Sequence, residues 1–105
     1  MIKFTLLCSL GMSTSLLVDK MTDEAKNRGI EVDIDALPFD RADIRLEDTD
    51  VLLLGPQVRH LVPKFKEKYK DKIPVIDQID IRDYGLMRGE KILTESIEKY
   101  ENAKK

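Results

Sequence analysis

Ile2-Lys3-Phe4-Thr5-Leu6-Leu7-Cys8-Ser9-Leu10-Gly11-Met12-Ser13-Thr14-Ser15 is the stretch that decides the fold. Ile2 to Leu7 is short, apolar and partly β-branched, and it ends in a segment holding Gly11. That pattern predicts a buried strand followed by a loop. From Thr14 to Arg28 the period changes: Leu16, Leu17, Met21 and Ala25 fall at helical spacing, and Gly29 follows as a C-cap. A buried strand running through a tight loop into a helix begins an α/β domain.

The rest of the chain repeats the alternation. Ile30 to Leu37 sets Ile30, Val32, Ile34 and Ala36 against Glu31, Asp33 and Asp35. Its polar alternate positions predict an edge strand. Asp40 to Glu47 reads as a short helix or loop. Val51 to Leu54 is wholly apolar, as a central strand of a parallel sheet would be, and Gly55-Pro56 stops it. Val58 to Tyr69 predicts a helix with Leu61, Val62, Phe65 and Tyr69 inward, and Pro63 in its first turn. Pro74 to Ile76 gives a fourth strand. Asp83 to Tyr100 gives a last helix, loosened at its start by Gly85 and Gly89, with a frayed tail from Glu101 to Lys105. Strands alternating with helices predict a parallel sheet in one three-layer domain spanning residues 1–105. Function in such sheets sits beyond the carboxyl ends of the strands.

Composition narrows the chemistry. A net charge of -2 provides no basic field for nucleic acid. No apolar run approaches the roughly 20 residues that span a bilayer, and the opening stretch is too short for a secretory signal, so the chain reads as cytoplasmic. The lone cysteine fits a reducing compartment and excludes an internal disulfide, a two-cysteine redox site and a cysteine-rich zinc site. Neither a metal nor a cofactor is expected.

That cysteine stands where a helix begins. Backbone N–H groups at a helix start lack intrahelical partners, and the dipole favours negative charge there. The same geometry favours a thiolate and binds phosphate. Gly11 permits close approach of the backbone to an anion, and the hydroxyls of Ser9, Ser13, Thr14 and Ser15 can donate to it. Together with Leu10 and Met12 these residues form a candidate phosphate-binding loop behind a nucleophilic Cys8. A phosphocysteine would carry about -1.5 to -2 charge, which a ring of N–H donors suits. The competing reading is ordinary: a lone cysteine is commonly a small buried hydrophobe, and serines before a helix are commonly caps.

The Cys8-Ser-Leu-Gly-Met-Ser-Thr-Ser-Leu-Leu segment, the strand end Leu53-Leu54-Gly55-Pro56-Gln57 and Arg82-Asp83-Tyr84-Gly85 resemble the enzyme IIB component of the lactose/cellobiose class of the sugar phosphotransferase system. The resemblance covers essentially the whole chain. It implies a four-stranded parallel sheet flanked by helices. It implies a cysteine that accepts phosphate from a phosphohistidine of a IIA protein. The group then passes to a β-linked disaccharide held by a membrane transporter, IIC.

The loop is also similar to that of low-molecular-weight tyrosine phosphatases, which run Cys, five residues, Arg, then Ser or Thr. Here Thr14 occupies the arginine position, and the chain has no Asp-Pro dipeptide to supply that family's general acid. Both departures favour a carrier over a phosphatase. A P-loop ATPase is excluded because no Gly-Lys-Ser/Thr follows the first strand. A non-enzymatic binding module with an inert cysteine is the third reading.

Outside the loop, Gln57 and Tyr84 are candidate accessory residues. His60, the one histidine, reads as a surface or capping residue near the site. Asp40, Asp80 and Asp83 read as solvated charges able to pair with Arg41, Arg59 or Arg82. Leu10 and Met12 suit either partner docking or inward packing, and Lys64 to Lys72 reads as a solvated helix face.

Overall fold

A computed structural model describes residues 1–8 and 12–104 of the chain. Four parallel strands form its sheet: β1 (Ile2–Cys8), β2 (Val32–Pro38), β3 (Val51–Leu54) and β4 (Val75–Gln78), in the order β2-β1-β3-β4. Four α-helices accompany them: α1 (Met12–Asn27), α2 (Val62–Tyr69), α3 (Ile81–Gly85) and α4 (Gly89–Ala103).

Period two along the strands divides the core between the two faces of the sheet. Phe4 and Leu6 of β1, with Val51 and Leu53 of β3, pack under Leu17, Met21 and Ala25 of α1 and Ile92 and Leu93 of α4. On the opposite face, Leu7, Leu52, Leu54 and Ile76 meet Val58, Tyr69 and Ile73 around α2. This is the three-layer arrangement expected of the alternation. Val51 to Leu54 is buried throughout, and β2 with its acidic positions is indeed an edge strand. Gly29 takes φ +69°, and Ile30 N–H donates to Ala25 O at 2.9 Å, closing α1 as its glycine predicts.

Some details differ from expectation. Leu16 is 51% exposed, so the inward face of α1 begins at Leu17. Phe39–Ile44 and Leu46–Asp48 are 3-10 turns, and another 3-10 turn, Pro56–Leu61, precedes α2. The last helical region is two helices, α3 and α4, separated at Met87, whose φ of 53° no α-helix accommodates. Residues Glu101 to Ala103, expected to fray, complete α4.

The sheet changes direction of winding at β1. The chain moves from β1 outward to β2, then crosses to β3 on the other side. A crevice beyond the carboxyl ends of β1 and β3 is the place such folds reserve for ligands. Cys8 is the last residue of β1, and Gly55 follows β3 directly.

At the other end of the sheet, Arg45 braces β1 to β2. Its guanidinium donates to Thr5 Oγ1 at 2.9 Å, Phe4 O at 3.0 Å and Asp33 O at 3.1 Å. Asp33 and Asp35 supply carboxylates at 3.4 and 4.0 Å. The buried hydroxyls of Thr5 and Thr49 meet at 2.8 Å, so the polar groups inside this corner are paired.

Candidate active site

Cys8 lies at the carboxyl end of a central strand with 1% of its surface exposed. Three residues separate it from the first residue of α1. Of the loop expected to cradle an anion, Ser9, Leu10 and Gly11 lie outside the described residues. Met12 and Ser13 form the start of α1, placing helix N-terminal amides just beyond the cysteine.

The β3 end lies against Cys8. Gly55 N–H donates to Leu7 O at 2.8 Å, which extends the β1–β3 ladder one step past the strand. A β-carbon built on Gly55 would lie 3.8 Å from Cys8 Cβ, 3.4 Å from Leu7 O and 3.0 Å from Gln57 Oε1. Its φ of -62° is open to any residue. Glycine matters here for close approach, because a β-carbon would crowd the Gln57 side-chain oxygen on one side and Leu7 O and Cys8 on the other. Pro56 then supplies a fixed φ at the start of the 3-10 turn. The structure thus brings together Cys8, Gly55 and Gln57.

Thr14 and Tyr84 form the second pair. Thr14, in the first turn of α1, is 1% exposed. Its Oγ1 lies 3.0 Å from Tyr84 Oη in a buried hydrogen bond that spans 70 residues of sequence. Ser15, next along the helix, is exposed. Tyr84 also borders an open groove of about 550 Å³ shared with Pro56, Gln57, Arg59, His60, Ile81 and Gly85. His60 and Arg59 are exposed on that groove, in keeping with a surface histidine near the site.

The acidic residues of this edge do more than face solvent. Asp80 caps α3, accepting from the amides of Arg82 at 2.8 Å and Asp83 at 3.3 Å. Those two amides hold its carboxyl below the usual carboxylate range. Asp83 is buried, with Lys91 at 3.3 Å and Arg88 at 3.5 Å, instead of pairing with Arg41, Arg59 or Arg82. The signal for the cap was present in Asp80-Ile81-Arg82-Asp83, an aspartate ahead of a short helical run.

Chemically, the arrangement offers a nucleophile, helix amides and neutral donors. No group of three or more His, Cys, Asp or Glu residues suited to a metal ion occurs among the described residues. Among those residues, too, no helix is long and apolar enough to cross a membrane.

Comparison with known proteins agrees with this geometry. Residues 3–95 match the family model described as PTS system, Lactose/Cellobiose specific IIB subunit. A cellobiose-specific EIIB component of Lactococcus lactis is 42% identical over 93 residues, covering 84% of this chain and 86% of that protein. An oligo-beta-mannoside-specific EIIB component of Bacillus subtilis is 35% identical over 95 residues, covering 90% and 92%. The solution structure of a cellobiose-specific IIB component from Borrelia burgdorferi superposes with a TM-score of 0.78 at 37% identity, over 97% of this chain and 94% of that one. A lactose-specific IIB domain from Streptococcus pneumoniae shares the fold, with a TM-score of 0.84 at 19% identity, covering 94% and 97%. The chain therefore belongs to the lactose/cellobiose-specific IIB subunit family of the sugar phosphotransferase system and is a phosphotransferase component of that system.

Proposed function

We propose that Cys8 is the residue that carries the phosphoryl group, in a cytoplasmic single-domain protein. It takes the group from a phosphohistidine of a IIA protein and passes it to a β-linked disaccharide presented by a IIC transporter. The observation that carries this reading is the position of Cys8. It ends a central strand at the winding switch of the sheet, directly before a helix N-terminus, with Gly55 packed beside it. A thiolate there attacks phosphorus, and the helix amides offset the charge that arrives. Ser9, Leu10, Gly11, Met12, Ser13, Thr14 and Ser15 are assigned as the phosphate-binding loop, and Gln57, which neighbours Gly55, as an accessory residue for the group or the docking partner.

Relatives named for cellobiose and oligo-beta-mannoside support a disaccharide or short β-linked oligosaccharide as acceptor, while one named for galactose, a monosaccharide, does not bear on the linkage. A phosphatase reading finds no support at position 14, where Thr14 stands in place of arginine and is bonded to Tyr84.

The test is phosphorylation by a phosphorylated IIA protein, read by intact mass and site mapping. Cys8 should gain one phosphoryl group, and Cys8→Ser should gain none while keeping the native fold. A Cys8→Ser protein that still relays phosphate to sugar overturns the assignment.

A further inference from the structure

We infer that Tyr84 is a positioning residue for phosphoryl transfer, acting through the hydroxyl of Thr14; the inference rests on Cys8 being the carrier. Tyr84 Oη and Thr14 Oγ1 are 3.0 Å apart, and the two residues are 8% and 1% exposed. The bond is buried, so water competes little for it. A phenolic O–H is the stronger donor of the two. At this distance either oxygen can be the donor; in the proposed arrangement Tyr84 donates to Thr14 Oγ1, and the Thr14 proton is directed onward to an acceptor on its own side.

Tyr84 is held firmly enough for this role. The amino end of α3 is capped by Asp80. Asp83, the residue before Tyr84, is fixed by Lys91 and Arg88 at the start of α4. A donor on such a platform places Thr14 more precisely than a hydroxyl alone could. In the phosphatase-like loop the same position carries an arginine, which supplies its donors directly. Here a neutral pair, one hydroxyl backed by another, stands in its place.

In the reaction, the P–N bond of the donor imidazole breaks and nitrogen keeps the electron pair. The S–P bond to Cys8 forms, and the thiol proton ends on the imidazole. Three phosphoryl oxygens then sit at Cys8 with their charge redistributed. Thr14, oriented by Tyr84, donates to one of them. The contribution is that of one hydrogen bond to a charged group.

The experiment measures the rate of Cys8 phosphorylation by a phosphorylated IIA protein, with the ³¹P chemical shift of the phosphocysteine recorded alongside. The proteins are wild type, Tyr84→Phe, Thr14→Val, their double variant and Thr14→Ser. Each of the first two single variants should slow transfer about tenfold, from the usual worth of a hydrogen bond to a charged group. Each should move the ³¹P signal in the same direction. The double variant should be no worse than either single one, because both break one chain of bonds. Thr14→Ser should recover most of the rate lost in Thr14→Val. A Tyr84→Phe protein with wild-type rate and ³¹P shift overturns the inference. Effects of the two variants that multiply also overturn it, since they show independent roles. Wild-type protein that takes no phosphate on Cys8 defeats the carrier reading itself, and the inference with it.

Discussion

Gly55 and Cys8 approach so closely that a β-carbon on Gly55 would lie 3.8 Å from Cys8 Cβ and 3.0 Å from Gln57 Oε1. The second contact is the tighter, and its partner is the far end of a flexible side chain. Gly55→Ala should therefore fold but push the Gln57 amide out of its place beside the Cys8 turn. Transfer should fall about tenfold, short of the roughly hundredfold that a 1 Å misplacement can cost. Gly55→Val, branching toward Cys8 and Leu7 O, should be worse. Initial rates of Cys8 phosphorylation decide the matter, and unchanged rates in both variants would show that the close approach serves no purpose in transfer.

Gly89 faces the backbone of α1, where an added β-carbon would meet Lys20 Cβ at 2.8 Å and Met21 N at 3.0 Å. Helix α4 begins at this contact, and backbone atoms cannot step aside as a flexible side-chain end can. Gly89→Ala should destabilise the fold by about 1–3 kcal/mol, as overpacking does elsewhere. The helix propensity gained from alanine is too small to offset that. Urea denaturation measures it, and a variant as stable as wild type would contradict the tight α1–α4 contact.

Asp80 gives the site region a pH dependence of defined sign. Two amides, those of Arg82 and then Asp83, lower its carboxyl below the ordinary range. A group depressed on folding adds stability that is complete above its unfolded value of about 3.9 and lost as pH falls through the lower folded value. The cap of α3 should therefore persist below pH 4 and weaken at still lower pH. Carboxyl ¹³C shifts of Asp80 report the titration directly. A midpoint at or above that of an unstructured aspartate would refute it, and Asp80→Asn should flatten this part of the acid profile.

Phosphorylated protein should be a poor phosphatase. Hydrolysis draws on a cationic donor at the transferring group and on an acid to manage the leaving group and the water. A cation of that kind is worth about a thousandfold or more in other phosphoryl-transfer sites. Position 14 offers Thr14, hydrogen-bonded to Tyr84. Isolated phospho-Cys8 protein should hold its group for many minutes and discharge quickly once a IIC transporter and sugar are present. Release of phosphate within seconds, or ordinary enzymatic turnover of p-nitrophenyl phosphate, would contradict a carrier.

Legibility in the sequence followed the range of the interactions. Val51 to Leu54 reads as central because four successive apolar side chains need cover on both faces, and all four are buried. The place of Cys8 at the end of a buried strand was legible because an apolar run and the loop after it lie within a few residues of chain. Helix α1 was read one residue too wide on its apolar side, since Leu16 fits the period yet faces outward. The split between α3 and α4 escaped because it turns on Met87 taking φ 53°, a conformation that its residue type does not advertise. The Thr14–Tyr84 bond escaped for another reason: 70 residues separate its partners, and only the folding of Tyr84 into the core that α1 covers joins them. Asp83 was misread because burial, which sets its pairing with Lys91 and Arg88, is a property of the folded chain.

Both open edges of the sheet carry charge. Asp33 and Asp35 lie along β2, and the four-residue β4 has Asp77 ion-paired with Lys99, with Lys66 and Lys70 nearby. Charge on both edges, and the shortness of β4, discourage a second chain from adding as a further strand. A shuttle delivers its cargo at the rate at which it collides with donor and acceptor, and every copy held in a strand-paired aggregate is withdrawn from that traffic. Guarded edges thus disfavour that withdrawal and leave the end of the sheet bearing Cys8 open to encounters that come apart again.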